Sequence, residues 1–424
     1  MVAVESLRAD KAWSFPNVKP RDASYATHGY HRYPAKFIPQ LVEALIKKYS
    51  REGDVVLDPM GGCGTTLVEA KLNGRNSVGI DINRVAVLIA RAKTQAIRQR
   101  FLEERNQILL KKVSRRKPSR NYYASAHPRL QYWFKPDQYN NLRVLYQCIE
   151  EERNAKARLF YQCCFSNILK NCSIWYAKSI KPQRDLNKHE EAPLQAFERH
   201  LNLMTRKNAE FASLLKSRAL QSTNCRMMKG DARCMRLSDN SADLIITSPP
   251  YVTSYEYADL HQLSSLWFGF TDDVRKMKED FIGTLSRTAR CDEVGSPLAQ
   301  RILKKVEEKD KALGKHIANY YGDLYRFYGD ARRVLNKSGR LCLILGDTEY
   351  MGIRIPNTAV SIELLEKRGF FIEKVIKRQL SSKIFTPYRD SAGRFTDSRH
   401  GHKRKIYQHE YIVIARQLDR KRNI

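Results

Sequence analysis

Acidic residues are scarce in this 424-residue chain: 45 Asp and Glu stand against 76 Lys and Arg, a formal net charge of +31. Solubility needs far less, and the excess fits a polyanionic partner whose phosphates the basic side chains neutralise. Long apolar runs are also missing. No uninterrupted span is long enough to cross a bilayer, and the stretch holding Glu5, Arg8, Asp10 and Lys11 has no apolar h-region, so an intracellular, soluble protein with no membrane partner is expected. The nine cysteines, Cys63, Cys148, Cys163, Cys164, Cys172, Cys225, Cys234, Cys291 and Cys342, form no Cys-x-x-Cys pair and no Cys/His array of zinc spacing. That pattern excludes the common zinc modules and suits reduced thiols in the cytosol. No Gly-Lys-Ser/Thr follows a glycine-rich turn, which excludes a Walker phosphate loop, and no internal repeat is visible.

Two stretches organise what is present. Ala242-Asp243-Leu244-Ile245-Ile246-Thr247 reads as a buried central strand, stopped at its carboxyl end by Ser248-Pro249-Pro250-Tyr251 because proline cannot extend a ladder. Ligands of open α/β sheets bind beyond the carboxyl ends of strands, which makes a hydroxyl, a rigid carbonyl and an aromatic ring at that point candidate site groups. The same pentapeptide also suits an ordinary turn in which Tyr251 packs. The second stretch is Asp54-Val55-Val56-Leu57-Asp58-Pro59-Met60-Gly61-Gly62-Cys63-Gly64-Thr65-Thr66, a strand entering a glycine-rich turn and then a helix that Asn73-Gly74 ends. The next strand, Ser77-Val78-Gly79-Ile80-Asp81, closes on an acid. Glycines allow close backbone approach and a strand-end acid accepts from ribose hydroxyls, so this is nucleoside-binding geometry. Strand and helix alternate again through Cys225–Ala232, the helix at about 320–335, the strand 340–345, the helix 360–368 and strands 370–379 and 411–416. The pattern predicts a doubly wound, mostly parallel, Rossmann-like α/β sheet.

Asp-Pro-x-x-Gly-x-Gly-Thr-Thr at 58–66, with Ser-Pro-Pro-Tyr downstream at 248–251, resembles the S-adenosylmethionine-dependent DNA amino-methyltransferases, specifically the cytosine-N4 branch. Met60 stands where that family usually carries phenylalanine, and a thioether fills the same apolar space. The resemblance implies a methyltransferase sheet with an inserted, mainly helical lobe, S-adenosyl-L-methionine as cofactor, and methylation of N4 in cytosine of double-stranded DNA after base flipping. It implies that Asp58, Gly62 and Gly64 form the methionine and ribose cradle, with Pro59 and Thr65 also at the cofactor. Asp81 would take the ribose hydroxyls, Asp231 of Gly230-Asp231-Ala232 the adenine amino group, and Phe37 would close the pocket from Tyr33-Pro34-Ala35-Lys36-Phe37. Ser248 Oγ and the Pro249 carbonyl would accept from the target amine, Pro250 would help fix them, and Tyr251 would stack on the base. A cognate restriction endonuclease acting on the same site and a cytoplasmic, nucleoid-associated location go with that family. The adenine-N6 branch more often has an acid or amide at the Ser248 position, which favours cytosine; an RNA base is the remoter alternative. Carbon-5 chemistry needs a Pro-Cys nucleophile, and no cysteine here follows a proline.

Taken in order, the chain divides at 1–94 (arm, cofactor lid and first half of the methyltransferase domain), 95–224 (inserted helical, basic and aromatic DNA-recognition lobe) and 225–424 (catalytic second half). The first two dozen residues read as a loose arm. His28 and His31 lack further ligands nearby, and no metal is expected. The pattern from Asn83 to about Leu110 is helical. Lys111-Lys112-Val113-Ser114-Arg115-Arg116-Lys117, followed by Tyr122, Tyr123, Tyr132, Trp133 and Phe134, suits a nucleic-acid groove, as does the loop around Trp175. Residues 138–216 look helical outside that loop. Residues 271–315, with Arg287, Thr288 and Arg290, read as an irregular, mobile insertion near the substrate, and Tyr255, Tyr257, Leu263, Leu266 and Trp267 as pocket or core. Lys383, Arg389, Arg394, Arg399, Lys403, Arg404 and Lys405 place a basic loop at the rim of the same site.

Overall fold

The computed structural model describes residues 4–418 apart from 35, 120, 180, 253–255, 288, 290, 292, 351, 381–387, 390–394, 397–403 and 406–408. The expected positions Tyr255, Thr288, Arg290, Lys383, Arg394, Arg399 and Lys403 therefore lie outside the described residues.

The main sheet has seven strands: β1 (Val55–Asp58), β2 (Asn76–Asp81), β3 (Cys225–Lys229), β4 (Ala242–Thr247), β5 (Leu335–Leu345), β6 (Phe370–Gln379) and β7 (His409–Gln417). They lie in the order β3-β2-β1-β4-β5-β7-β6, parallel except that β7 runs antiparallel to both β5 and β6. The helices are α1 (Pro39–Tyr49), α2 (Thr65–Leu72), α3 (Arg84–Lys93), α4 (Gln99–Arg115), α5 (Pro136–Glu150), α6 (Ala155–Ile168), α7 (Pro193–Ser217), α8 (Pro297–Glu307), α9 (Lys311–Val334) and α10 (Asn357–Lys367), with shorter ones between. Successive strand residues face opposite sides. Val56, Leu244, Ile246, Cys342, Ile344, Ile412 and Ile414 pack on α1, while Leu57, Ile245, Leu341, Leu343 and Val413 pack with α8, α9 and α10. Both faces are covered, which is why the central strands read as unbroken apolar runs.

Helices α4 to α7 fall within residues 95–224. Their apolar faces share one cluster with Val85, Leu88 and Ile89 of α3 and with Leu263, Leu266 and Trp267. The lobe is thus packed onto the sheet domain through common core. Among the described residues no helix is long and apolar enough to cross a membrane.

Several expectations change. The arm is not loose: Ala9 bridges Lys377, Asp10 N donates to Lys377 O at 2.8 Å, Gln379 N donates to Ser14 Oγ at 3.0 Å, and Trp13 is buried against the α1 cluster. It covers the exposed edge of β6, a strand edge that would otherwise be open to pairing. The helix expected from 83 to 110 breaks between α3 and α4, where the Asn208 side chain takes both backbone groups of Ile97 out of the helical ladder, accepting from its N–H at 2.9 Å and donating to its C=O at 2.7 Å. The helical stretch expected at 138–216 outside the Trp175 loop is also broken at 151–154, and the non-helical stretch that contains the loop is longer than expected, at 169–192. Residues 271–315 are not irregular throughout, since α8 packs its apolar face against α9 and α10. Trp133, Phe134 and Trp175 are core, not surface: they are at most 2% exposed, and the two indoles stack at 5.0 Å. Basic neighbours made these rings look like a groove, yet only Tyr132 of the expected stacking rings stays exposed.

Candidate active site

The chain runs outward from β1 to β2 and β3, then re-enters beside β1 as β4. A crevice forms at the carboxyl ends of strands where the order reverses, and it brings the two motifs face to face. Asp58 ends β1 and is 1% exposed. Its carboxylate accepts from Thr66 Oγ1 at 2.6 Å, Thr247 Oγ1 at 2.9 Å and the Met60 amide at 3.2 Å, so it stitches the glycine turn to the residue before Ser248. Burial raises its pKa to about 6 against the pull of those hydrogen bonds.

The turn needs its glycines at two points. Gly62 adopts φ 48° and sends its amide to Asp81 Oδ2 at 2.8 Å. Gly64 caps α2 at φ 78°, and a Cβ there would sit 2.8 Å from Ala90 Cβ. Gly64→Ala combines left-handed strain with a helix–helix clash and is expected to cost about 1–3 kcal/mol, read as a lowered unfolding midpoint in urea. Asp81 Oδ1 accepts from Asn83 N at 2.8 Å, and burial raises the Asp81 pKa to about 6 although both backbone bonds oppose it. Each oxygen carries one donor, leaving lone pairs for a ligand.

The cleft holds about 880 Å³ of empty space, its open mouth included. Phe37, Asp58, Pro59, Gly62, Thr65, Asp81, Asp231, Ser248 and Pro250 line it. Gly64, Pro249 and Tyr251 do not. Gly64 serves the contact between α2 and α3, while the Tyr251 phenol turns to Glu410, donating to Oε1 at 3.1 Å with its ring against Gly346. Asp231 is engaged by Arg233, which donates to its two oxygens at 2.7–3.0 Å and also to the Asp280 carbonyl at 2.8 Å and to Asp323 at 2.9 Å. Arg233 thereby fixes the wall formed by Asp280, Phe281 and Ile282.

Sequence reasoning did not single out that wall, nor Asn83, which caps α3 and donates to His261 Nδ1 at 2.8 Å. Tyr33 and Lys36 line the cleft too, and lay within the quoted Tyr-Pro-Ala-Lys-Phe segment; Tyr33 stacks with Tyr257 at 6.2 Å. Cys63 also lines it, with Lys93 Nζ 3.5 Å from Sγ; burial raises the thiol pKa, but Lys93 and Lys36 outweigh it and the net shift is downward. His28 and His31 are buried on Glu69 and Ser166, at 2.7 and 3.0 Å. Burial holds both imidazoles neutral.

The residues fit S-adenosylmethionine. Asp81 keeps free acceptors at the end of β2, Gly61 and Gly62 leave the turn open, and Phe37, Met60, Ile82, Phe281 and Ile282 supply apolar walls. Fold and cleft together define a nucleoside-cofactor site of the Rossmann-like methyltransferase type. Residues 5–92 match the N6/N4 methyltransferase family model, described as DNA methylase. The chain is 24% identical over 394 residues to the Type II methyltransferase M.MvaI of Kocuria varians, covering 84% of this chain and 86% of that one. It is 22% identical over 400 residues to M.BsoBI of Geobacillus stearothermophilus, covering 81% and 78%. To M.MjaII of Methanocaldococcus jannaschii it is 42% identical over 89 residues, covering 21% and 17%. These findings support an S-adenosylmethionine-dependent DNA amino-methyltransferase of the N6/N4 class.

Proposed function

We propose that the protein transfers a methyl group to the N4 amine of cytosine in double-stranded DNA. The observation that supports this reading is the neutral hydroxyl of Ser248, lining the cleft at the end of β4 where a carboxyl or amide is the more usual partner of an adenine amine. When bound, S-adenosylmethionine supplies an electrophilic methyl on sulfur and leaves as a neutral thioether. The chain's residues prepare the nucleophile. The cytosine amine is a poor one because its lone pair is delocalised into the ring; Ser248 Oγ and the Pro249 carbonyl accept from it and favour the pyramidal form. The prolines fix both acceptors, and the Asp58 bond to Thr247 ties them to the cofactor turn. Positioning supplies much of the rate in such a displacement. The base must leave the duplex to arrive there, and stacking on Tyr251 requires its ring, now tethered through the hydroxyl to Glu410 and packed on Gly346, to turn toward the cleft. Nucleoside mass spectrometry of DNA methylated in vitro tests this: N4-methyldeoxycytidine is expected, and N6-methyldeoxyadenosine refutes it.

Residues 95–224 we read as the DNA-recognition lobe, between the cofactor half (1–94) and the catalytic half (225–424). With Trp133, Phe134 and Trp175 buried, charge and not stacking carries the reading. Lys112 and Arg116 are partnered by Glu151, whereas Lys111 and Arg115 sit exposed on α4. Replacing Lys111 and Arg115 by alanine is expected to weaken DNA binding and to flatten the slope of log affinity against log salt by about 1.8, one released counterion per charge. An unchanged slope in the folded variant makes the run a solvated face. Likeness to Type II methyltransferases extends the proposal to a cytoplasmic, nucleoid-associated enzyme with a cognate endonuclease.

A further inference from the structure

A short helix, Pro128–Trp133, sets Arg129 and Tyr132 three residues apart and so on one face. The Arg129 guanidinium stands 4.8 Å from the centre of the Tyr132 ring, and a second guanidinium, that of Arg184, stands 4.2 Å from the same centre. Packing of the indoles brings Arg184 there: its backbone bridges Trp175, and Trp175 stacks on Trp133, the neighbour of Tyr132. Arg129, Tyr132 and Arg184 are all exposed. Among the described residues neither arginine pairs with a carboxylate, nor do the exposed Lys178 and Lys181 in the same segment as Arg184. Two guanidiniums over one ring lie within a Debye length of each other at moderate salt, about 10 Å at 0.1 M, so salt does not screen out their repulsion. Arg129 Nε also donates to Gln262 Oε1 at 2.9 Å, and Gln262 follows His261, which accepts from Asn83 of the cleft. The patch is thereby joined to the wall of the site.

We propose that Arg129 and Arg184, braced on Tyr132, clamp backbone phosphates of the bound duplex. This rests on the reading of residues 95–224 as a DNA-recognition lobe, and not on which base is methylated. Phosphate suits the patch better than a base does. The guanidiniums crowd the ring on which a base would stack, and their planar forks match phosphate oxygens. Only an anion offsets two like charges; a guanine edge is a neutral acceptor and leaves the repulsion in place.

The test measures binding across a salt series to two duplexes, one carrying the methylated sequence and one unrelated to it. Arg129→Met combined with Arg184→Met is expected to weaken both complexes by a common factor and to flatten the slope of log affinity against log salt by about 0.9–1.8, one or two phosphates. Arg129→Lys combined with Arg184→Lys keeps the charges and is expected to keep most of the slope. Tyr132→Leu, which removes the brace and leaves both charges, is expected to bind more weakly than Tyr132→Phe. A slope unchanged from wild type in the folded double methionine variant overturns the proposal. So does a loss confined to the duplex with the methylated sequence, which assigns the two arginines to base edges. Should the methionine variant not fold, phenylglyoxal modification of the wild-type protein, mapped by peptide mass spectrometry, decides: Arg129 and Arg184 are expected to react in the free protein and to be protected by duplex DNA. Equal modification with and without DNA overturns the clamp. A wild-type protein with no affinity for duplex DNA overturns the DNA-recognition reading and this inference together; wild-type binding with an unchanged slope in the variant overturns this inference alone.

Discussion

Ser248→Ala is expected to lower kcat about a hundredfold or more while leaving S-adenosylmethionine affinity within a factor of two or three, because it removes an acceptor that acts on the target amine. The change is small and local. Ser248 follows a buried strand whose backbone is fixed by its ladder, and the next two residues are prolines. The Asp58 bond to Thr247, which links the halves of the site, does not involve the Ser248 side chain. Loss of turnover with cofactor binding retained therefore separates chemistry from folding. Full activity in this variant removes the residue on which the mechanism depends. Radiolabel transfer to DNA, alongside calorimetric titration of the cofactor, gives both quantities.

Asp81→Ala is expected to produce the opposite split: cofactor affinity falls by about 1–3 kcal/mol, roughly five- to 150-fold, since ribose hydroxyls lose a charged acceptor in a buried site. The Gly62 amide also loses its partner, so the turn loosens with it. The pH dependence follows from the raised pKa. Asp81 takes up a proton near pH 6. Below that value it offers a neutral carboxyl, so affinity should fall as pH drops through 6, by up to tenfold per unit. Asp58 titrates in the same region, and Asp81→Asn isolates its share: any remaining loss belongs to Asp58. Stability moves the other way. Because these folded-state values lie above the ordinary 3.8, the folded chain binds protons more tightly than the unfolded chain between about pH 4 and 6, and the cofactor-free protein should lose stability as pH rises across that window. Unchanged cofactor affinity in folded Asp81→Ala removes Asp81 from the site.

The parts of the molecule legible in the sequence were those whose chemistry is contiguous. The Asp58–Thr66 turn and Ser248–Tyr251 each carry their strand, their stop and their functional groups within a dozen residues, and strand order brings both to one crevice. Long-range polar contacts were not legible. Nothing near Tyr251 announces Glu410, 159 residues away, and nothing near Asp231 announces that Arg233 will reach across to Asp280 and Asp323. Pattern also fails where one composition serves two ends. Aromatic rings among lysines suit a DNA groove, but Trp133 and Trp175 stack on each other inside the lobe. The polar arm seemed loose because most of its anchors are backbone bonds to β6, to which its side chains add only Ser14 Oγ and the buried Trp13.

Sequencing of modified bases in DNA from an otherwise unmethylated host expressing the protein tests the central claim most directly. N4-methylcytosine at one recurring sequence, absent from cells expressing Ser248→Ala, is the predicted result. N6-methyladenine at such a sequence, or cytosine modification that persists at full level with Ser248→Ala, contradicts it.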